Sequence, residues 1–163
     1  MKIILRLKGS SSSGNYGHAG RPGEVGGSAG NMISVSGDAD WMSTRESFKQ
    51  AISKNLAPGL KLTVGKPYRE GKFTTVTFDV EASGGYAQAV LWYDRMSKEV
   101  KVQQQDMSLP ESARGKGIGG AMIEALVAGY KAIGVNNIPI HVDTNPDFWN
   151  HMKKKYPGIY RDE

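Results

Sequence analysis

The chain contains no cysteine. Disulfides, thiolate metal sites and cysteine nucleophiles are excluded, and the absence fits a reducing compartment. Histidine is scarce: His18, His141 and His151 are scattered, at no spacing that a metal site uses, so no metal is expected. No apolar run approaches the ~18 residues of a membrane span, so a membrane partner is not expected. The opening Met1-Lys2-Ile3-Ile4-Leu5-Arg6-Leu7-Lys8 is too short and too interrupted by charge to be a secretory signal. What remains is ordinary for a folded domain. Of 163 residues 39% are hydrophobic and 23% charged, enough to bury one core with an appendage. The net charge of +5 permits a polyanion or an acidic cofactor as partner. Aromatic and basic residues do not interleave along one strip, so nucleic acid is not the expected ligand.

The composition divides the chain. Residues 1–8 alternate as a short strand that would pair with an edge of the main domain or of another protein. In residues 9–30, eight glycines and five serines fill 13 of 22 positions. Such a stretch has little to bury and reads as a flexible arm. Glycines at 14, 17, 20, 23 and 26 keep a three-residue period, but Pro22 is the only proline there, too few for collagen. A polyproline-like segment docked on a partner is the other reading. From residue 31 to 163 the chain reads as globular.

In that part, Ser43-Thr44-Arg45-Glu46 matches a capping box, predicting a helix through Phe48, Ala51, Ile52 and Leu56 that stops at Pro58-Gly59. Strands are expected at Leu60–Val64, Phe73–Ala82, Tyr86–Tyr93 and Glu99–Met107, with a tight turn at Gly84-Gly85 and another at Asp94–Lys98. Trp92 and Tyr93 would pack on opposite faces. A helix then carries Ile118, Met122, Leu126, Val127, Tyr130 and Ile133 on its apolar side and ends at Gly134. Asn137–Val142 reads as a strand, and Pro146 opens a last helix that Pro157-Gly158 ends. The Lys153-Lys154-Lys155 run reads as a solvated face. The expected fold class is α/β: an antiparallel meander followed by a βαβ unit and a C-terminal helix.

Ser112-Ala113-Arg114-Gly115-Lys116-Gly117-Ile118-Gly119-Gly120 leads from a strand into a helix. Free amides at a helix start favour anions, glycines let a phosphate approach the backbone, and Arg114 and Lys116 add positive charge. The Walker pattern fails because Gly117 follows Lys116. Gly115, Gly117 and Gly120 satisfy a dinucleotide fingerprint, but an antiparallel meander precedes them and no acid follows at the ribose position. A turn that merely lets a helix pack closely would also use these glycines.

Arg114-x-x-Gly117-x-Gly119, within Leu109–Gly119, resembles the acyl-coenzyme A pyrophosphate loop of the GNAT N-acetyltransferase superfamily. The resemblance extends over about residues 60–160. It implies a GNAT-like mixed sheet and acetyl-coenzyme A as substrate. The backbone of Arg114, Gly115, Lys116, Gly117, Ile118 and Gly119 would hold the pyrophosphate. Met107 and Leu109, at a splayed strand edge, would pair with the pantetheine arm, and Asn145 would contact the coenzyme. An amine would attack the acetyl carbonyl directly, with a base taking its proton. Glu81 is the expected base, with Asp79 and Asp106 as alternatives. The family often places Phe-Tyr where this chain has Phe148-Trp149, and indole cannot protonate the leaving thiolate. Tyr156 is the expected substitute acid, or else His151.

The run Gly14-Asn15-Tyr16-Gly17-His18-Ala19-Gly20-Arg21-Pro22-Gly23-Glu24-Val25-Gly26-Gly27-Ser28 is similar to a glycine-rich segment of tailed-bacteriophage proteins of the head-morphogenesis type. This implies a phage origin, with capsid or other virion proteins as partners through residues 1–30, and a location in host cytoplasm or virion. The combined expectation is a phage-related acetyltransferase. The alternative is a virion structural or accessory protein that keeps the fold without catalysis.

Overall fold

The computed structural model describes residues 2–5, 32–35, 39–140 and 145–162. They form strands β1 (Lys2–Leu5), β2 (Ile33–Ser34), β3 (Lys61–Val64), β4 (Tyr68–Glu70), β5 (Phe73–Ala82), β6 (Gly85–Asp94), β7 (Val100–Pro110), β8 (Ile138–Ile140) and β9 (Tyr160–Asp162). The helices are α1 (Trp41–Lys54), α2 (Ile118–Ala132) and α3 (Pro146–Lys155). One antiparallel sheet runs β1-β7-β6-β5-β3, with β2 also on β7 and β4 also on β5. The protein is mixed α/β with a mostly antiparallel sheet. The expected arm at 9–30 lies outside the described residues. So do the far ends of the expected strands 1–8 and Asn137–Val142.

The meander follows from alternation. Val76, Phe78 and Val80 of β5 and Ala87, Ala89 and Leu91 of β6 are buried in the main core, while Thr77, Asp79 and Glu81 take the opposite face. Ser83 and Gly84, at φ 51° and 78°, make the turn between them. A two-residue hairpin needs positive φ at both central positions to match the strand twist. The turn is thus one residue earlier than expected. Gly85 begins β6, where an added Cβ would stand 2.5 Å from the Ser108 carbonyl oxygen. At the next turn the Asp94 carboxylate accepts from the amides of Met96 (2.9 Å) and Ser97 (3.1 Å).

Two expectations are corrected. The Ser43–Glu46 capping box does not start α1: Asp40 does, its Oδ2 accepting from the Ser43 amide at 2.9 Å. Trp41 joins the helix because its ring stacks on Tyr93, with centroids 5.1 Å apart. The expected crossover from β7 through α2 to β8 is also not seen among the described residues. β8 pairs in parallel with β9, so the parallel unit is β8–α3–β9. On β7 itself, β1 takes Met107–Pro110 and β2 takes Lys101 and Val102, which narrows the edge left for β8. The strands β4 and β9 were not anticipated; each has only three residues, too few for alternation to show.

The helices α1 and α2 pack together over the core face. At their contact Gly129 permits close approach: a Cβ there would lie 2.7 Å from Phe48 Cε1 and 2.9 Å from Ile52 Cγ1. Phe48 also meets Phe78 edge-on at 4.9 Å, so it has nowhere to retreat. Gly129→Ala is therefore expected to destabilise the fold by about 1–2 kcal/mol, overpacking outweighing the helix propensity that alanine adds. Urea denaturation checks this, and an unchanged or raised midpoint would contradict it.

Candidate functional site

The site begins with a change of phase in β7. Val100, Val102 and Gln104 face the helices, as their burial and the Gln104 bonds to Tyr130 and Tyr160 require. Between the pairs Ala87↔Met107 and Ala89↔Gln104, β6 advances two residues and β7 three. That is a bulge of one extra residue. Beyond it, Met107 and Leu109 face the helices and Ser108 faces away. The chain then leaves β7 through a single 3-10 turn at Glu111–Ala113 and reaches the loop before α2.

Gly115 and Gly117 have φ of 75° and 78°, a left-handed conformation that favours glycine, and nothing lies within 4 Å of where their Cβ atoms would be. Gly117 caps α2 but has no side chain to satisfy its first amides. The first helical bond in this turn is donated by the Ala121 amide to the Gly117 carbonyl at 3.0 Å. The amides of Ile118, Gly119 and Gly120 precede it, at the positive end of the helix dipole. Gly119 is the narrow point: a Cβ there would stand 2.7 Å from Met107 Cε and 3.4 Å from Phe148 Cε1. Phe148 arrives from α3, which Asn145 caps with its Oδ1 accepting from the Phe148 amide at 3.3 Å.

These pieces enclose a cleft of about 240 Å³ between β7, the loop and α3. Of the residues expected to bind coenzyme, Met107, Leu109, Arg114, Gly115, Gly117, Ile118, Gly119 and Asn145 all line it. Lys116 is exposed and does not. Arg114 Nε is buried without a hydrogen-bond partner, an orphaned donor beside the cleft. The sequence reading missed Ala113, Gly120 and Phe148 as lining residues. The signal for Phe148 is its place three residues after the cap Asn145, in the first turn of α3.

Other expected roles are corrected. The β7 edge at Met107 and Leu109, expected to be free for pantetheine, is paired with β1. Glu81 is on the sheet face opposite the cleft, where it accepts from Thr63 Oγ1 at 2.9 Å and lies 3.9 Å from Lys61 Nζ. Asp79 shares that face by alternation. Tyr156 is buried at the end of α3 and does not line the cleft. Burial, with the nearby Glu124 charge, raises its pKa, which makes it a poorer acid. His151 is exposed on α3. The side chain of Asp106 lies outside the described residues. Among the described residues no group of His, Asp or Glu is arranged to hold a metal ion, and no helix is long and apolar enough to cross a membrane.

No family model, curated protein or solved structure matches this chain.

Burial pushes Asp79 up to about 6, against the Gln88 amide that donates to it at 2.8 Å; the Glu81 charge adds to the rise. The native acid thus holds its proton more tightly than the unfolded one. Stability contributed by the neutral form is present at low pH and is lost as pH climbs from about 4 to about 6. Asp79→Asn is expected to flatten that part of the profile and to raise stability at neutral pH by about 1–3 kcal/mol. Urea midpoints measured across this range check it; an unchanged slope in the variant would assign the dependence elsewhere.

Proposed function

We propose that the cleft binds the diphosphate and pantetheine arm of an acyl-coenzyme A, and that the protein is a phage-related, GNAT-like acetyltransferase acting on an amine. The observation that carries this reading is convergence. Two left-handed glycines, the uncapped amides of α2, the orphaned Arg114 Nε and Asn145 meet around one cleft whose floor is Met107 and Leu109. The amides and guanidinium suit a diphosphate, and the apolar floor suits the arm. At about 240 Å³ the cleft is below the ~300–1,000 Å³ of sites that enclose a drug-sized ligand. It would take part of the coenzyme and leave the nucleotide on the surface. In this reading the chain binds and orients the thioester for direct attack by the amine. Neither Glu81 nor Tyr156 takes part in proton transfer.

One observation favours a second reading. The pairing of β1 with Met107–Pro110 occupies the edge that the arm would use. That is what a virion structural or accessory protein without catalysis would tolerate. The glycine-rich run at 14–28 supports a phage origin under both readings.

Thermal unfolding with and without acetyl-coenzyme A separates them. Ligand at about 100 times its Kd adds about 2.7 kcal/mol, expected to raise Tm by several degrees. Arg114→Glu is expected to abolish that rise. No rise at millimolar ligand would favour the structural reading, and detection of the protein in purified virions would support it.

A further inference from the structure

We infer that β1 is a displaceable edge strand that competes with the pantetheine arm for β7, so that the site is held closed from within its own chain. This rests on the acyl-coenzyme A reading above. The register places Leu5 opposite Met107, Ile4 opposite Ser108, Ile3 opposite Leu109 and Lys2 opposite Pro110. Those four positions of β7 directly precede the turn that leads into the loop. A strand has two edges, and β6 takes the other one, through Tyr86↔Ser108 and Ala87↔Met107. One row of backbone donors and acceptors therefore remains beside the cleft, and β1 fills it. An extended arm running from the loop along Met107 and Leu109 needs the same row.

Two features make β1 removable. Among the described residues it pairs with β7 alone, and over four residues. Its covalent connection is also long for its task. Leu5 and Ile33 pair with Met107 and Val102, five positions apart on β7, yet 27 residues join them. An extended chain spans ~3.3–3.6 Å per residue, so a few residues would cover the gap. The surplus lets β1 leave β7 while β2 stays paired. The apparent affinity for the ligand is then the intrinsic affinity reduced by the fraction of molecules with β1 displaced.

A reversible crosslink in the full chain tests this. Directly opposed residues of antiparallel strands have Cα atoms ~4.5–5.5 Å apart, within the range a disulfide bridges. Because the chain has no cysteine, Ile4→Cys with Ser108→Cys supplies one thiol pair and no competitor. Acetyl-coenzyme A, which has no free thiol, is titrated into the oxidised and reduced forms. Adenosine 5′-diphosphate, which keeps the diphosphate and lacks the pantetheine arm, is titrated in parallel. Oxidation is expected to weaken acetyl-coenzyme A binding at least about tenfold and to leave adenosine diphosphate binding unchanged. In a second variant, Ile3→Pro with Ile4→Pro removes donors from β1 and is expected to tighten acetyl-coenzyme A binding by about tenfold. Equal affinity in the oxidised and reduced forms overturns the competition while the coenzyme reading stands. If the cysteine pair does not crosslink, the proline variant decides, and unchanged affinity there overturns it. If acetyl-coenzyme A binds none of these proteins, wild type included, the coenzyme reading fails and the competition with it.

Discussion

The side-chain carbonyl of Gln104 accepts two buried hydrogen bonds, from Tyr130 at 2.8 Å and from Tyr160 at 2.6 Å. One oxygen thereby joins β7, α2 and β9. Burial raises the pKa of both phenols, and each one's neighbouring tyrosine raises it further, so both remain neutral donors. An apolar side chain at 104 would strand two hydroxyls in the core, at about 1–3 kcal/mol each. The tie matters beyond stability because of what it holds. α2 carries the glycine loop at its start, and β9 closes the β8–α3–β9 unit that brings Asn145 and Phe148 over the cleft. Both walls of the site are referred to one residue of β7, three positions before the floor residue Met107.

Gln104 is also the last residue of β7 before the bulge. A regular strand would have continued 104, 106, 108 on the helix side, giving the cleft Ser108 in place of Met107 and Leu109. The extra residue exchanges these faces and makes the floor apolar. It does so one turn of chain before Arg114, so the change from apolar floor to polar loop is abrupt. Fixed amides and a guanidinium at one end of an apolar trough suit a ligand with an anionic head and an extended, less polar arm.

Much of this was legible in the sequence where the signal is local. The long strand β5 announces itself by alternation and β6 by its apolar run, Gly134 and Pro146 mark their helix ends, and the glycine loop fell where its residues placed it. The loop's lining residues were anticipated by resemblance more than by physics. What was not legible depended on distant partners. The box at Ser43–Glu46 is a sound local signal, but Tyr93, far along the chain, draws Trp41 into the helix and makes Asp40 the cap. The partner of β8 could not be read, because it is β9, a strand of three residues beyond α3. The faces taken by Glu81 and Tyr156 depend on register and on α2 packing. The bulge did leave a trace: apolar residues sit at 100 and 102, then at 107 and 109, a shift of parity within one strand.

The pairing of β1 also bears on how this protein behaves in company. An open sheet has two edges, and each is a template for the strand of a neighbouring molecule. At the far edge, β3 and β4 are short, and their Lys61, Arg69 and Glu70 are exposed, which discourages such contacts. At the near edge β7 is long, and its last positions are Met, Ser, Leu and Pro. Covering them with a strand of the same molecule gives that edge a partner before another copy can supply one. The four residues Lys2–Leu5 thus act as a guard against edge-to-edge aggregation, and the chain is most exposed to it during synthesis and refolding, before its first strand has docked.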